Sequence, residues 1–290
     1  MTSPHQPEST EPVSRREFVA ALGWLALAGR TASIGAGEKI AHRHGRALGI
    51  QLYTLRDLLA RDLEGTLARV AAIGYREVEL AGFYNHSAPS IREVLDRHGL
   101  RAPAGHVDLP AITDQVDRTI SDAQALGHRY VILPWLAEEF RTCDGYARIA
   151  EQLNQAGERF RTAGLVLGYH NHDFEFAELP GGEIGYDILL RRTDPGLVVM
   201  ELDLFWIRKG GGDAMKYFHN QPDRFRLVHI KDMAADGTMM DVGSGVIVWG
   251  DLLTSARRAG VEHFLVEHDQ PADPLASALI SYRYLRSLRL

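Results

Sequence analysis

The sequence predicts an α/β protein built as one closed (β/α)8 barrel, and three observations carry that expectation. Short apolar runs recur roughly thirty residues apart, the length of a strand plus its crossover helix. Glycines stand just ahead of most runs, at Gly74, Gly99, Gly127, Gly164, Gly196 and Gly260, where a helix C-terminus favours a left-handed residue. The competing architecture, an open doubly wound sheet, would offer a Gly-rich phosphate loop after its first strand, and Gln51-Leu-Tyr-Thr-Leu-Arg56 is no such loop.

Taken in order, the runs begin at Leu48 (to Tyr53), Tyr75 (to Leu80), Arg101 (to Val107) and Arg129 (to Leu133). They continue at Leu165 (to His170), Leu197 (to Asp203), Phe225 (to Ile230) and His263 (to His268). Each gives way to polar residues at its end, the pattern of a buried strand delivering side chains to an opening. Nothing between the units reads as a linker, so a single domain over 47–290 is expected.

Composition sets outer limits. With 290 residues, 45% hydrophobic and 24% charged, the chain can bury a large core. Its formal charge of -6 leaves no broad basic surface, which argues against nucleic acid as a partner. The single Cys143 cannot form an intrachain disulfide and reads as a passive small residue.

The N-terminus has a different character. Met1 to Pro12 is polar and Pro-rich, and is expected to be disordered. Arg15-Arg16-Glu17-Phe18 then leads into an apolar stretch, Ala20 to Ala28, of signal-peptide length; the paired arginines resemble a twin-arginine signal. Residues 1–40 are therefore set apart from the fold. This predicts contact with export machinery and a periplasmic or secreted location.

The chemistry concentrates at strand ends. In a barrel, side chains at the C-terminal ends of the strands converge on one mouth, and alternation selects those that point inward. The stretch Gly164 to Phe176 brings His170, Asn171, His172, Asp173 and Glu175 to the end of the fifth run, a costly cluster unless a site uses it. Gly168, His170 and His172 share one face of that run; Glu201 and Asp203, His229 and Lys231, and Glu267 and Asp269 share faces of the last three. Asp203, His229 and Glu267, with an imidazole from His170 or His172, make a mixed set suited to a divalent cation such as Mn, Zn, Co or Mg; the absence of thiolates argues against a structural zinc site. Each residue alone has a plainer use, since an Asp at a strand end is often the N-cap of the next helix. His42, His44, His86, His98 and His268 are assigned such plain roles.

Glu201-Leu-Asp-Leu-Phe-Trp206, Val228-His-Ile-Lys-Asp232, Val242-Gly-Ser-Gly-Val-Ile-Val-Trp249 and Val266-Glu-His-Asp269 resemble the xylose-isomerase-like TIM barrels from about Gly49 onward. That family includes sugar and sugar-phosphate isomerases and epimerases, inosose dehydratases and endonuclease IV enzymes. The resemblance implies a metal held by Asp203, His229 and Glu267 after strands six, seven and eight. Gly168 takes the place of the family's strand-five Glu, with His170 the nearest inward ligand.

The expected activity is a metal-dependent isomerase or epimerase of small carbohydrates, removing a proton next to a metal-bound carbonyl or hydroxyl. Glu267, His172 and Lys231 are the expected catalytic residues; Tyr53, Glu79, His106, Asn171 and Trp206 are expected to contact substrate. With one Glu missing, a lyase or dehydratase acting on keto-sugars or 3-keto-glycosides is the alternative, as is a non-catalytic sugar-binding barrel. An endonuclease-like activity ranks last, given the acidic charge. The apolar C-terminal segment, with Leu279, Tyr282, Leu285 and Leu288, either closes the barrel or meets a neighbour in an oligomer.

Overall fold

A computed structural model describes residues 48–288. The signal segment and the disordered N-terminus expected over residues 1–40 lie outside the described residues.

Eight parallel strands close into a barrel. They are β1 (Leu48–Gln51), β2 (Glu77–Leu80), β3 (Arg101–His106), β4 (Tyr130–Leu133), β5 (Val166–His170), β6 (Val198–Asp203), β7 (Phe225–Ile230) and, after a small hairpin of β8 (Asp232–Met233) and β9 (Met239–Met240), β10 (His263–Val266). The order around the barrel is β1-β10-β7-β6-β5-β4-β3-β2, so β1 pairs with both β2 and β10 and no edge is left open. All eight predicted runs hold a strand. Three end earlier than their runs: Leu52 and Tyr53 turn into a 3-10 segment, Val107 follows β3, and Glu267 and His268 follow β10 instead of extending it.

Alternation along the strands produces the layers. Outward residues such as Val78, Val131, Leu167 and Val228 join the helices in the main core. Inward, Ala104, Tyr130, Ile132, Val199, Leu227 and Leu265 form a separate apolar floor. Gly168 belongs to this floor, because it pairs with Ile132 and Val199 and a Cβ there would sit 2.5 Å from Ile132 Cδ1. The residue level with the polar end of β6 is His170, paired with Glu201, the imidazole expected as the nearest inward ligand on this strand. Below the floor, His263 Nδ1 bonds Glu77 Oε2 at 2.8 Å and Tyr130 donates to Glu262 at 3.0 Å, which satisfies the polar groups at the closed end.

Helix ends follow the sequence signals. The helix Val116–Leu126 stops at Gly127, whose φ of 75° is the left-handed cap a side chain would resist. Gly196 behaves differently: its N–H is bound by Asp194 Oδ1 at 2.7 Å in a turn, and the preceding helix has already ended at Thr193. The last helix, Pro274–Ser287, closes the ring. Tyr282 meets Tyr75 edge-on at 5.0 Å, and the Tyr75 hydroxyl donates to Ala278 O at 2.9 Å. Among the described residues, no helix is long and apolar enough to cross a membrane.

Candidate functional site

Above the apolar floor the inward residues turn polar together. Gln51 of β1, Glu79 of β2, His170 of β5, Glu201 and Asp203 of β6 and His229 of β7 are all buried. His106, at the end of β3, keeps its side chain 13% exposed. Burying so many polar groups is tolerable only if they satisfy one another.

Glu201 is the centre of this network. Its Oε2 lies 2.8 Å from His106 Nε2, 3.2 Å from His170 Nδ1 and 3.2 Å from His229 Nε2. Burial would raise its pKa, but the charge of His229, the hydrogen bond of His106 and the close approach of the other two rings hold it well below the usual carboxylate range. His229 in turn bridges two carboxylates, Nε2 to Glu79 Oε2 and Nδ1 to Glu267 Oε2, each at 2.7 Å. Burial favours its neutral ring, yet Glu201 and Glu267 outweigh burial and push its pKa up. Gln51 donates to the same Glu79 oxygen at 2.8 Å. Burial and the charge of Glu201 raise Glu79, against the opposing pull of His106 and His229.

Toward the mouth the network becomes a charge cluster. Lys231 Nζ reaches Asp203 Oδ2 at 3.0 Å, Glu267 Oε2 at 2.8 Å and Asp269 Oδ1 at 2.8 Å. Burial disfavours its charge, but the three carboxylates keep its pKa well above the ordinary lysine value. Asp203 has both of the roles open to it. Its Oδ1 caps the helix Leu204–Lys209 by accepting from Phe205 N at 2.9 Å and Trp206 N at 2.8 Å, while Oδ2 faces the cluster. Burial lifts its pKa to about 6, against the pull of Lys231 and His229.

The expected metal ligands meet. Donor atoms of Asp203, His229 and Glu267 lie within 4.8 Å of one another, and His170 Nε2 is 3.8 Å from Asp203 Oδ2. A second group, His106, His170, Glu201 and His229, satisfies the same condition and shares His229 with the first. Burial and the nearby charge of His229 lower His170 to about 3, which leaves it neutral and able to ligate. Oxygen and imidazole donors with no thiolate suit a hard or borderline divalent ion, and the buried Oε1 atoms of Glu79 and Glu201 have no hydrogen-bond partner among the described residues. The residues present therefore fit such an ion.

The remaining expected contacts divide. His172 and Trp206 stand at the mouth, ring centres 5.4 Å apart, each with a buried ring nitrogen that has no hydrogen-bond partner among the described residues. Burial holds His172 neutral, at about 2. Asn171 is otherwise engaged: its Oδ1 accepts from Asp203 N at 3.0 Å and its amide donates to Asp203 O at 3.5 Å. It stitches the end of β5 to β6. Tyr53, 44% exposed beneath the Arg56 guanidinium at 4.1 Å, belongs to the outer rim. Gln51, Glu201 and Asp269 were not among the expected site residues. For Glu201 the signal was its two-residue spacing from Asp203, which puts both on one face; for Gln51, a buried amide ending a strand, the sequence carries no sharper mark.

Comparisons with known proteins fit this architecture. Residues 67–288 match the family described as xylose isomerase-like TIM barrel. The inosose dehydratase of Geobacillus kaustophilus (strain HTA426) is 26% identical over 193 residues, 59% of this chain and 62% of that protein. The inosose dehydratase of Lacticaseibacillus casei is 26% identical over 166 residues, 50% of this chain and 55% of the relative, so the chain spans only part of the length of the curated relatives it matches. A solved sugar phosphate isomerase/epimerase from Parabacteroides distasonis aligns with a TM-score of 0.76 at 25% identity, covering 88% of this chain and 99% of that one. With the family match running across most of the barrel, the chain belongs to the xylose isomerase-like TIM barrels.

Proposed function

We propose that the protein is an exported, divalent-metal-dependent carbohydrate isomerase or epimerase that moves a proton at carbon next to a carbonyl or hydroxyl. The observation that carries this reading is the convergence of Asp203, His229 and Glu267, from three successive barrel strands or their ends, within 4.8 Å beside a buried ammonium. Together with His170 these residues would hold the ion. When bound, it would supply Lewis-acid polarisation of a substrate oxygen.

The other roles belong to the chain itself. Lys231 at the mouth donates to a developing oxyanion, a task that suits an ammonium fixed in advance by Asp203 and Glu267. His172, neutral and with Nδ1 free of any protein partner among the described residues, accepts a hydrogen bond from substrate. Glu267, the most accessible carboxylate that touches both His229 and Lys231, is the proton carrier on the opposite side. Trp206 offers a ring face beside Lys231, 5.6 Å from Nζ, for stacking on a sugar. Because three carboxylates already match the Lys231 charge, an uncharged carbohydrate fits better than a sugar phosphate.

A dehydratase or lyase reading on keto-sugars is favoured by two observations. The curated relatives are inosose dehydratases, and β5 ends in the imidazole of His170 instead of a carboxylate. Turnover of a panel of free and keto-sugars in heavy water separates the two. Deuterium incorporation without bond cleavage supports isomerisation, an unsaturated product supports elimination, and turnover unaffected by chelation removes the metal from the proposal.

A further inference from the structure

Beside the polar cluster lies a groove of a different kind. It has a volume of 480 Å³ and runs outward from His106 between the loops that follow β3 and β4, past Val107, Leu109, Pro110, Trp135, Leu136 and Phe140. His106 and Asp108 are the polar side chains of its wall. Asp108 is already used, since its Oδ1 caps the helix Leu109–Thr113 through Ala111 N at 3.0 Å. His106 is used on its inner side, at Glu201. The wall prolines have no N–H to offer. A polyol bound here would lose water without regaining hydrogen bonds, a cost that an apolar group does not incur.

Trp135 makes the groove more than a dent between loops. The residue is 51% exposed, unusual for the largest apolar side chain, yet it packs against its neighbours. It meets His172 edge-on at 4.8 Å and Phe174 at 5.1 Å. The Arg141 guanidinium lies 4.8 Å from its centre and is itself held by Leu136 O at 2.9 Å. An exposed aromatic ring that is preorganised and contiguous with a polar site is a ready stacking surface for a second ring.

We infer that the substrate is a carbohydrate carrying an apolar, ring-bearing substituent: the sugar occupies the polar cluster while the substituent lies in the groove against Trp135. The inference rests on the carbohydrate reading above and narrows it to a glycoside-like substrate class. His106, the residue common to cluster and groove, marks where the two halves of the ligand join. His172, in edge contact with Trp135, keeps the groove wall in register with the mouth.

Matched pairs of phenyl and methyl β-pyranosides of glucose, galactose and xylose test this by calorimetric titration of the purified, metal-loaded full chain. For the sugar that binds, the phenyl glycoside is expected to bind at least ten-fold more tightly than its methyl counterpart. Trp135→Ala is expected to bring that ratio close to one. Ala137→Trp, which fills the groove while leaving Trp135 in place, is expected to do the same, so the result does not depend on one variant folding well. Equal affinity for the two members of a pair in the unaltered protein, or a ratio that survives both substitutions, overturns the groove assignment while the carbohydrate reading stands. Failure of every glycoside to bind, with free sugars still bound, overturns it too. If free sugars also fail to bind, the parent reading falls with it.

Discussion

Lys231 Nζ lies 3.0 Å from Asp203 Oδ2, so an ammonium rests against an oxygen that would also ligate a cation, while the other oxygen of the same carboxylate caps a helix. These two duties of Asp203 are separable. Asn retains the capping oxygen but loses the charge; Ala loses both. Asp203→Ala is expected to melt lower than Asp203→Asn by the equivalent of about 1 kcal/mol, the usual worth of a cap. Both are expected to lose stoichiometric metal by elemental analysis and at least a hundred-fold in activity. Equal metal content in Asp203→Asn and the unaltered protein would remove Asp203 from the ligand set.

Gly168 makes a second prediction, about the floor on which the site stands. A Cβ at Gly168 would approach Ile132 Cδ1 to 2.5 Å and Val199 Cγ2 to 3.3 Å. Gly168→Ala is therefore expected to cost roughly 1–3 kcal/mol, the range for an overpacked core. Ile132→Val removes the offending methyl, so the double variant is expected to recover most of that loss, with a coupling energy of at least about 0.5 kcal/mol in denaturant titrations. Simple additivity of the two changes would show that the barrel interior has slack at this level.

The barrel was legible because its signal is repetitive: eight apolar runs with glycine stops leave little room for another topology. Asp203, His229 and Glu267 were legible for the same reason, each the last or next-to-last residue of its run with its inward side chain set by alternation. Depth along a strand was not. Gly168 and His170 share a face, and only the register with Glu201 shows that Gly168 lies in the apolar floor and His170 in the polar layer. Nor does sequence reveal where a polar side chain finds its partners. Asn171 sits amid the richest cluster of the chain, yet its amide goes to the backbone of Asp203, and the groove beside Trp135 comes from two loops whose proximity only the closed barrel creates.

The paired arginines of the N-terminal segment lead to a test in cells. Replacing Arg15 and Arg16 by lysines keeps the charge and removes the feature that resembles the twin-arginine signal. The protein is expected to shift from the exported to the cytoplasmic fraction, with the barrel unaffected. Export undiminished by the substitution would refute a twin-arginine route, and N-terminal sequencing of the exported form would locate its cleavage point.

Glu175 supplies a prediction of pH dependence at a buried carboxyl outside the expected ligand set. It is fully buried, accepts from the Tyr169 hydroxyl at 2.6 Å and from His172 N at 2.8 Å, and so fixes the loop that presents His172. Burial raises its pKa from 4.5 to about 7, although the hydrogen bond from Tyr169 pulls the other way. A folded-state pKa above the unfolded one means that the native state keeps the proton over an interval where the unfolded chain has lost it. Its contribution is thus complete below about pH 4.5 and fades as the pH rises through about 7, a change on the order of 3 kcal/mol across that window. Glu175→Gln retains an acceptor for His172 N and cannot ionise. Relative to this variant, the unaltered protein is expected to lose stability steadily between pH 4.5 and 7 in chemical denaturation. Parallel stability curves for the two proteins would mean that Glu175 is ionised when folded and that some other group, not burial, governs its charge.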